Sequence, residues 1–402
     1  MPVAENLARA RAETGLDQDD VASALGVSRA MVSYWERGHR TPNDRQLAAL
    51  SRVLHTPIGV LLGAQEPARD PDLSAVLMRG AGREVPDRAH AGLRGFVEFL
   101  DTYAELAAAA RFPIRGMHES PFVSGAGFES AEDARRKAEE VRAHLRIGLG
   151  PIGDLDALCA LLGVTVYQAP LGPDLSSTVS GAFYSHPVVG FSILVNLDMT
   201  PGRRRFTIAH ELAHALFDSA SERYTVSTSA KTPRERFADR FAGEFLMPTE
   251  GVRRVMEEHG FGPSIEDPAE VIHLQRFFGV SYITALVRLR QSAFLTRERF
   301  ERFKGIRPVL LARSLGFDVS DDDHGPRRAP QHLGRFPARF RWLLRAAVQR
   351  GVLSVPSAAA LTQASIDEIT ELASPDIDTS GPTEEERAEL GEYEASGILG
   401  VA

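Results

Sequence analysis

Two histidines four residues apart, with a glutamate directly after the first, stand in Arg205-Phe206-Thr207-Ile208-Ala209-His210-Glu211-Leu212-Ala213-His214. On a helix that spacing puts both imidazoles on one face, where a single metal ion can take both. Glu211 then lies beside the metal position and serves as a base for a water molecule whose pKa zinc lowers towards neutrality. A catalytic zinc keeps one position open and takes three protein ligands, so a third ligand must come from a second element.

Glu235 and Asp239 are the candidates. Pro233 near a helix start and Phe237, Phe241 and Phe245 at fourfold spacing predict a helix with one buried face. Glu235 and Asp239, also four apart, share another face. Glu235 is assigned as third ligand and Asp239 as the carboxylate that orients a ligand histidine through its other ring nitrogen, with the reverse assignment still open at this point. Arg-Phe-Thr-Ile-Ala-His-Glu-Leu-Ala-His at 205–214, Glu-x-x-Ala-Asp at 235–239 and Phe-Ala-Gly-Glu-Phe-Leu-Met-Pro at 241–248 together resemble the ImmA/IrrE family of metallopeptidases. The resemblance covers roughly residues 130 to 295. It implies a zincin-like, zinc-dependent protease acting on helix-turn-helix repressors, with His210, His214 and Glu235 on the metal and Glu211 as base. At Asp239 the family more often has Asn; either side chain accepts an imidazole N–H.

The elements needed to position these groups can be read upstream. Ser130 is an N-cap candidate for a helix over 131–147, Leu155 to Gly163 reads as another helix, and Val164 to Tyr167 as a strand. Gly181 to Tyr184 and Phe191 to Val195 look like two more strands around a turn at His186-Pro187, which predicts a small antiparallel sheet. Phe191 to Val195 is the candidate edge for holding an extended substrate. Tyr184 is a candidate donor to the oxyanion of a tetrahedral intermediate, although a strand tyrosine is more often core or rim. Ser219 to Thr232 reads as a mobile lip over the cleft. Val252 to His259, Ala269 to Phe278 and Tyr282 to Leu289 are helical by periodicity.

The first 64 residues show a different pattern. Gln18 to Leu25, then Gly26-Val27-Ser28, then a helix capped by Ser28 make a helix-turn-helix, with Val21, Ala22, Val32, Trp35, Leu47, Leu50 and Leu54 among its core. Gln18, Ser28, Ser33, Trp35-Glu36-Arg37-Gly38, Arg40 and Pro42 resemble the XRE, lambda-repressor-like family. That likeness implies double-stranded DNA as a partner. Arg29, Ser33 and Tyr34 are the candidates for reading bases, and Gln18, Arg37 and Arg40 for phosphates. The segment holds seven Arg against seven acids, but the acids gather in its first two helices, so DNA binding is favoured over a purely protein-binding role.

The expected class is mainly α with a small antiparallel β-sheet (α+β). Residues 1–64 form an all-α DNA-binding domain, 65–129 a linker and long helix, 130–295 the peptidase domain, 296–373 a helical C-terminal region, and 374–402 an acidic tail. The long helix, Asp87 to Phe112, is a candidate spacer or homodimer surface, or else packs on its own peptidase domain. The tail carries eight acids against Arg387 alone. A net charge of −8 argues against a protein that coats nucleic acid, and the single Cys159, set among leucines, excludes an internal disulfide or a cysteine zinc site. No apolar run approaches a membrane span and no signal pattern opens the chain, which reads as cytoplasmic. The expected function is a DNA-binding regulator whose zinc endopeptidase domain cleaves a helix-turn-helix repressor or antitoxin-like protein. The rival is a transcription factor or antitoxin whose peptidase-like domain senses a ligand or binds a partner without cutting. Two histidines and a carboxylate also suit manganese.

Overall fold

Gly190–Asn196 carries no charged side chain and a central apolar run, Ile193-Leu194-Val195, and such a strand has to be covered on both faces. In the computed structural model all seven of its residues are buried, and it lies in the middle of a four-stranded sheet. The structure describes residues 2–14, 16–54, 56, 61–62, 87–122, 130–172, 179–218, 224–227, 232–319 and 332–374. The expected linker at 66–72, part of the polar break at 318–335, and the tail beyond Ser374 lie outside them.

The strands are β1 (Thr165–Ala169), β2 (Gly181–His186), β3 (Gly190–Asn196) and β4 (Tyr224–Ser227), in spatial order β1-β3-β2-β4. β1 runs parallel to β3, while β2 is antiparallel to both β3 and β4. The sheet is therefore mixed, not wholly antiparallel as its sequence suggested: β2 runs against β1, and β3, antiparallel to β2, returns to the direction of β1 and pairs with it. β3 is not an edge either. The edge beside β2 is β4, which falls inside the segment expected to be a mobile lip. Only pairing across the sheet reveals that short run as a strand.

Alternation along the strands separates two cores. Val166, Phe183, Ile193 and Val195 face the helices that carry the metal motif. Tyr167, Ala182, Tyr184 and Leu194 face the long helix Asp87–Ala109 and three helices near the C-terminus, Ala338–Gln349, Val355–Thr362 and Ile366–Ala373. Phe99 of the long helix stacks on Tyr167 with ring centres 4.6 Å apart and meets Phe340 edge-on at 5.1 Å. The long helix thus spends its apolar face on its own sheet. The region beyond residue 295 splits in its packing. Phe303 and Ala312, on helices Arg297–Lys304 and Pro308–Ser314, join the metal-side core, and the last three helices join the other.

On the metal side, helix Pro201–Phe217 is buried continuously from Thr207 to Phe217 and crosses helix Pro233–Leu246. Phe217 packs edge-on against Phe237 and Phe241 at 5.7 and 5.4 Å, and Phe241 stacks on Phe245 at 5.4 Å. Behind them Ala134, Ala138 and Val141 of helix Ala131–His144 are fully buried; their small size lets that helix approach the second motif helix closely. At the start of the metal helix, a Cβ on Gly202 would sit 2.5 Å from the Ser281 amide nitrogen and 2.9 Å from its Cα.

The N-terminal unit holds helices Pro2–Thr14, Gln18–Leu25, Arg29–Glu36 and Asp44–Val53 around the buried Leu7, Val21, Val32, Trp35, Leu47, Leu50 and Leu54. Gly26, at φ 65°, ends the second helix, and Ser28 caps the third by accepting from the Met31 amide. Helix Asp44–Val53 packs in turn on Val355–Thr362, which joins this unit to the C-terminal layer.

Gly202→Ala forces backbone apart and is expected to destabilise the fold by roughly 1–3 kcal/mol, seen as a lower urea midpoint. An unchanged midpoint would contradict the tight crossing described above.

Candidate metal centre

The second histidine of the pair is held from within its own helix. His214 Nδ1 lies 2.6 Å from Asp218 Oδ2, one turn further on, and both residues are almost wholly buried. His210 Nδ1 lies 3.0 Å from Asp239 Oδ1 on the second helix. A carboxylate accepts only from a ring nitrogen that carries a proton, so each contact keeps a proton on Nδ1 and makes Nε2 the nitrogen a metal can take once its own proton is lost.

The two Nε2 atoms are 3.2 Å apart. Glu235, whose backbone N–H is capped by Thr232, brings Oε2 to 3.1 Å from His210 Nε2 and Oε1 to 3.5 Å from His214 Nε2. A tetrahedral zinc with bonds of roughly 2.0–2.1 Å separates its ligand atoms by about 3.3–3.4 Å, the spacing found here. His210, His214 and Glu235 also form the metal-capable cluster among the described residues, with ligand atoms all within 4.8 Å of one another. The donor set of two nitrogens and one carboxylate oxygen suits zinc, and manganese as well.

Burial works against charge on His210, but its contacts with Asp239 and Glu235 outweigh it and raise its pKa to about 10. His214 follows the same logic: burial opposes the charged form, and Asp218 and Glu235 carry the pKa up to about 9. Burial would lift Glu235, yet the two imidazoles hold it down at about 2. The metal-free cluster is thus a compact set of opposed charges, and a cation replaces protons when it enters.

Glu211 is fully buried. A Cβ on Gly181 of β2 would come within 2.9 Å of its Oε1, 2.6 Å of Thr207 Cγ2 and 2.9 Å of the Leu194 carbonyl oxygen. Only a glycine lets β2 pass this close to the metal helix.

His210, Glu211, His214, Glu235 and Asp239 lie near one another across the two helices. Tyr184 does not join them. It sits on the opposite face of β2 from Gly181 and Phe183, in the core shared with the long helix, with its ring 5.8 Å from that of His186. Period-two alternation puts residue 184 on the far side once residue 181 faces Glu211. Asp218 was missed, although an acid four residues after the second histidine on the same helix face was visible as a signal.

In the N-terminal unit Arg29, Tyr34, Arg37 and Arg40 are exposed and Ser33 is half-buried. Arg29 lies 3.5 Å from Asp19 in an open ion pair. Ser28 spends its hydroxyl on the helix cap. Gln18 is turned inward: its amide donates to Glu36 Oε2 at 2.7 Å, and Glu36 also accepts from Arg11 at 2.6 Å.

Residues 159–290 match a peptidase family model described as the IrrE N-terminal-like domain, and residues 7–61 match one described as helix-turn-helix. The two matches reproduce the fusion that the motifs imply. No curated protein matches the chain. Among the described residues no helix is long and apolar enough to cross a membrane.

Because both imidazole pKa values are raised, zinc uptake at about pH 8 should expel at least one proton, and affinity should strengthen as pH rises towards the imidazole values. Calorimetry in buffers of different ionisation enthalpy reads this directly; zero release at that pH would contradict it. Asp218→Asn should weaken zinc affinity by about 10–100-fold in a chelator competition, with the helical circular dichroism unchanged. Wild-type affinity in that variant would show that the Asp218 contact does not orient His214.

Proposed function

We propose that this chain is a DNA-binding regulator carrying a zinc-dependent endopeptidase. The observation that supports the peptidase most strongly is the convergence of His210 Nε2, His214 Nε2 and the Glu235 carboxylate at 3.1–3.5 Å, with the buried Glu211 on the same helix. His210, His214 and Glu235 would hold the metal. A zinc ion bound there polarises a peptide carbonyl and lowers the pKa of water.

The chain's own residues do the rest. Glu211 takes the proton of the attacking water and passes it to the leaving amine, which makes it base and then acid in one turnover. Asp218 and Asp239 hold the imidazole rings so that neither rotates away. Gly181 keeps β2 near Glu211. β4, paired with β2 and last in the sheet among the described residues, offers its outer edge to an extended substrate segment, as the sequence reading expected of β3. Main-chain hydrogen bonds of that kind require an extended backbone and accept many side chains.

The N-terminal unit supports the regulatory half of the reading. Its third helix is capped at Ser28 and presents Arg29, Ser33 and Tyr34 from its outer side, as a recognition helix does. Arg37 and Arg40 follow on the exposed turn and suit phosphates. The substrate class, another helix-turn-helix repressor or an antitoxin-like protein, rests on the resemblance to the ImmA/IrrE family.

The test compares zinc-loaded wild type with Glu211→Gln on neighbouring repressors. Wild type should cut, and the variant should retain about one zinc per chain by elemental analysis while losing at least about a hundredfold in cleavage rate. Absence of cutting by zinc-loaded wild type would favour the non-proteolytic regulator instead.

A further inference from the structure

Helix Ala338–Gln349 has no acidic residue and contains Arg339, Arg341 and Arg345, with Arg350 directly after it. Its outer face carries Trp342, 63% exposed, the most exposed large aromatic side chain among the described residues. Trp342 meets Phe112 edge-on at 5.5 Å. The segment around Phe112 runs beside the helix, since Arg350 donates to the Ala110 carbonyl at 3.3 Å and Arg339 to the Arg115 carbonyl at 3.2 Å. That flank adds the exposed Arg111 and Arg115. Among the described residues no ion pair joins Arg111, Arg115, Arg345 or Arg350 to a carboxylate. The result is an exposed indole on a helix that carries arginines and no acid, beside a flank with two more arginines, in a chain whose net charge is −8.

The adjoining helix, Ile366–Ala373, delivers the chain to one end of this face. Gln349, beside Arg350, donates its side-chain amide to the Ala373 carbonyl at 2.7 Å. Past that point residues 374–402 bring eight acids and one arginine, including the run Glu384-Glu385-Glu386. From Gln349 back to Trp342 is seven helical residues, about 10 Å at 1.5 Å each. Ten extended residues reach up to about 33 Å, so Glu384 is within range.

We propose that this arginine and tryptophan face is the docking surface for the chain's own acidic C-terminal segment, residues 375–402. Each exposed ion pair is weak taken singly, but tethering raises the local concentration of the segment and several pairs form together. Glutamates meet the guanidinium groups, and the intervening chain covers the indole. Added salt shortens the Debye length, screens these exposed charges and loosens the contact. A free anionic partner of the same face, such as duplex DNA, has to displace the segment first.

Acrylamide quenching of tryptophan fluorescence tests this on the whole protein, because Trp35 is buried at 2% and adds a constant background. At low salt, a variant ending at Ser374 should be quenched at least about twofold more strongly than the full chain. Raising salt to about 0.5 M should bring the full chain to that level and leave the shortened variant unchanged. A peptide of residues 375–402 added to the shortened variant should restore protection. The full-length triple variant Glu384→Gln, Glu385→Gln, Glu386→Gln guards against a truncation that misfolds, and it should move in the same direction as the truncation. Equal quenching of full-length, truncated and triple-variant protein at low salt overturns the proposal. So does protection of the shortened variant by duplex DNA but not by the peptide, which would assign the face to nucleic acid.

Discussion

Three ligand atoms on two helices can hold one ion only if the helices keep their separation to within a few tenths of an ångström. Contacts of His210 and His214 with Glu235 link the two helices, and the packing beneath them sets the separation. Phe217 from the metal helix lodges against Phe237 and Phe241, with Phe245 stacked beyond, and Ala134 and Ala138 bring a third helix close behind. Aromatic contacts of this kind have narrow geometric preferences, so they fix rotation as well as distance. Everything polar in the site depends on that apolar lock. The carboxylates of Asp218 and Asp239 then adjust only the last degree of freedom, the spin of each imidazole.

What the sequence made legible follows from which distances are local. The pair His210 and His214 and the pair Glu235 and Asp239 are each one helical turn apart, so helix periodicity alone places them. The core of the N-terminal unit and the cap at Ser28 are equally local. Tyr184, the edge strand and the mixed sheet depend on pairings between segments distant in sequence. A strand's two faces look alike until one residue is anchored, and here the anchor is Gly181 against Glu211. β4 is four residues long among serines and threonines, so without its partner it has no pattern to show. Asp218, one turn beyond His214 on the same helix, is equally local and was legible from its spacing. Gln18 sits at the position expected for a phosphate contact, but its amide is turned to Glu36, a partner eighteen residues away.

The sheet divides the chemistry of the molecule. One face supports the metal helix, and the other supports the long helix and the three last helices. Because β3 contributes alternate residues to both cores, a change in packing on one face is felt in the register of side chains on the other. Phe99, Tyr167 and Phe340 form the stacked contact through which the far layer grips β1.

The contact between helix Asp44–Val53 and helix Val355–Thr362 gives this division a thermodynamic meaning. The helix-turn-helix unit is docked on the layer that backs the sheet, so a docked and an undocked arrangement of it would be two states of the whole molecule. Any ligand with unequal affinity for those states shifts the balance between them, and linkage makes the effect reciprocal. A ligand that preferred the docked unit would tighten the layer behind the metal-capable cluster by the same free energy with which an occupied cluster would strengthen the grip on that ligand.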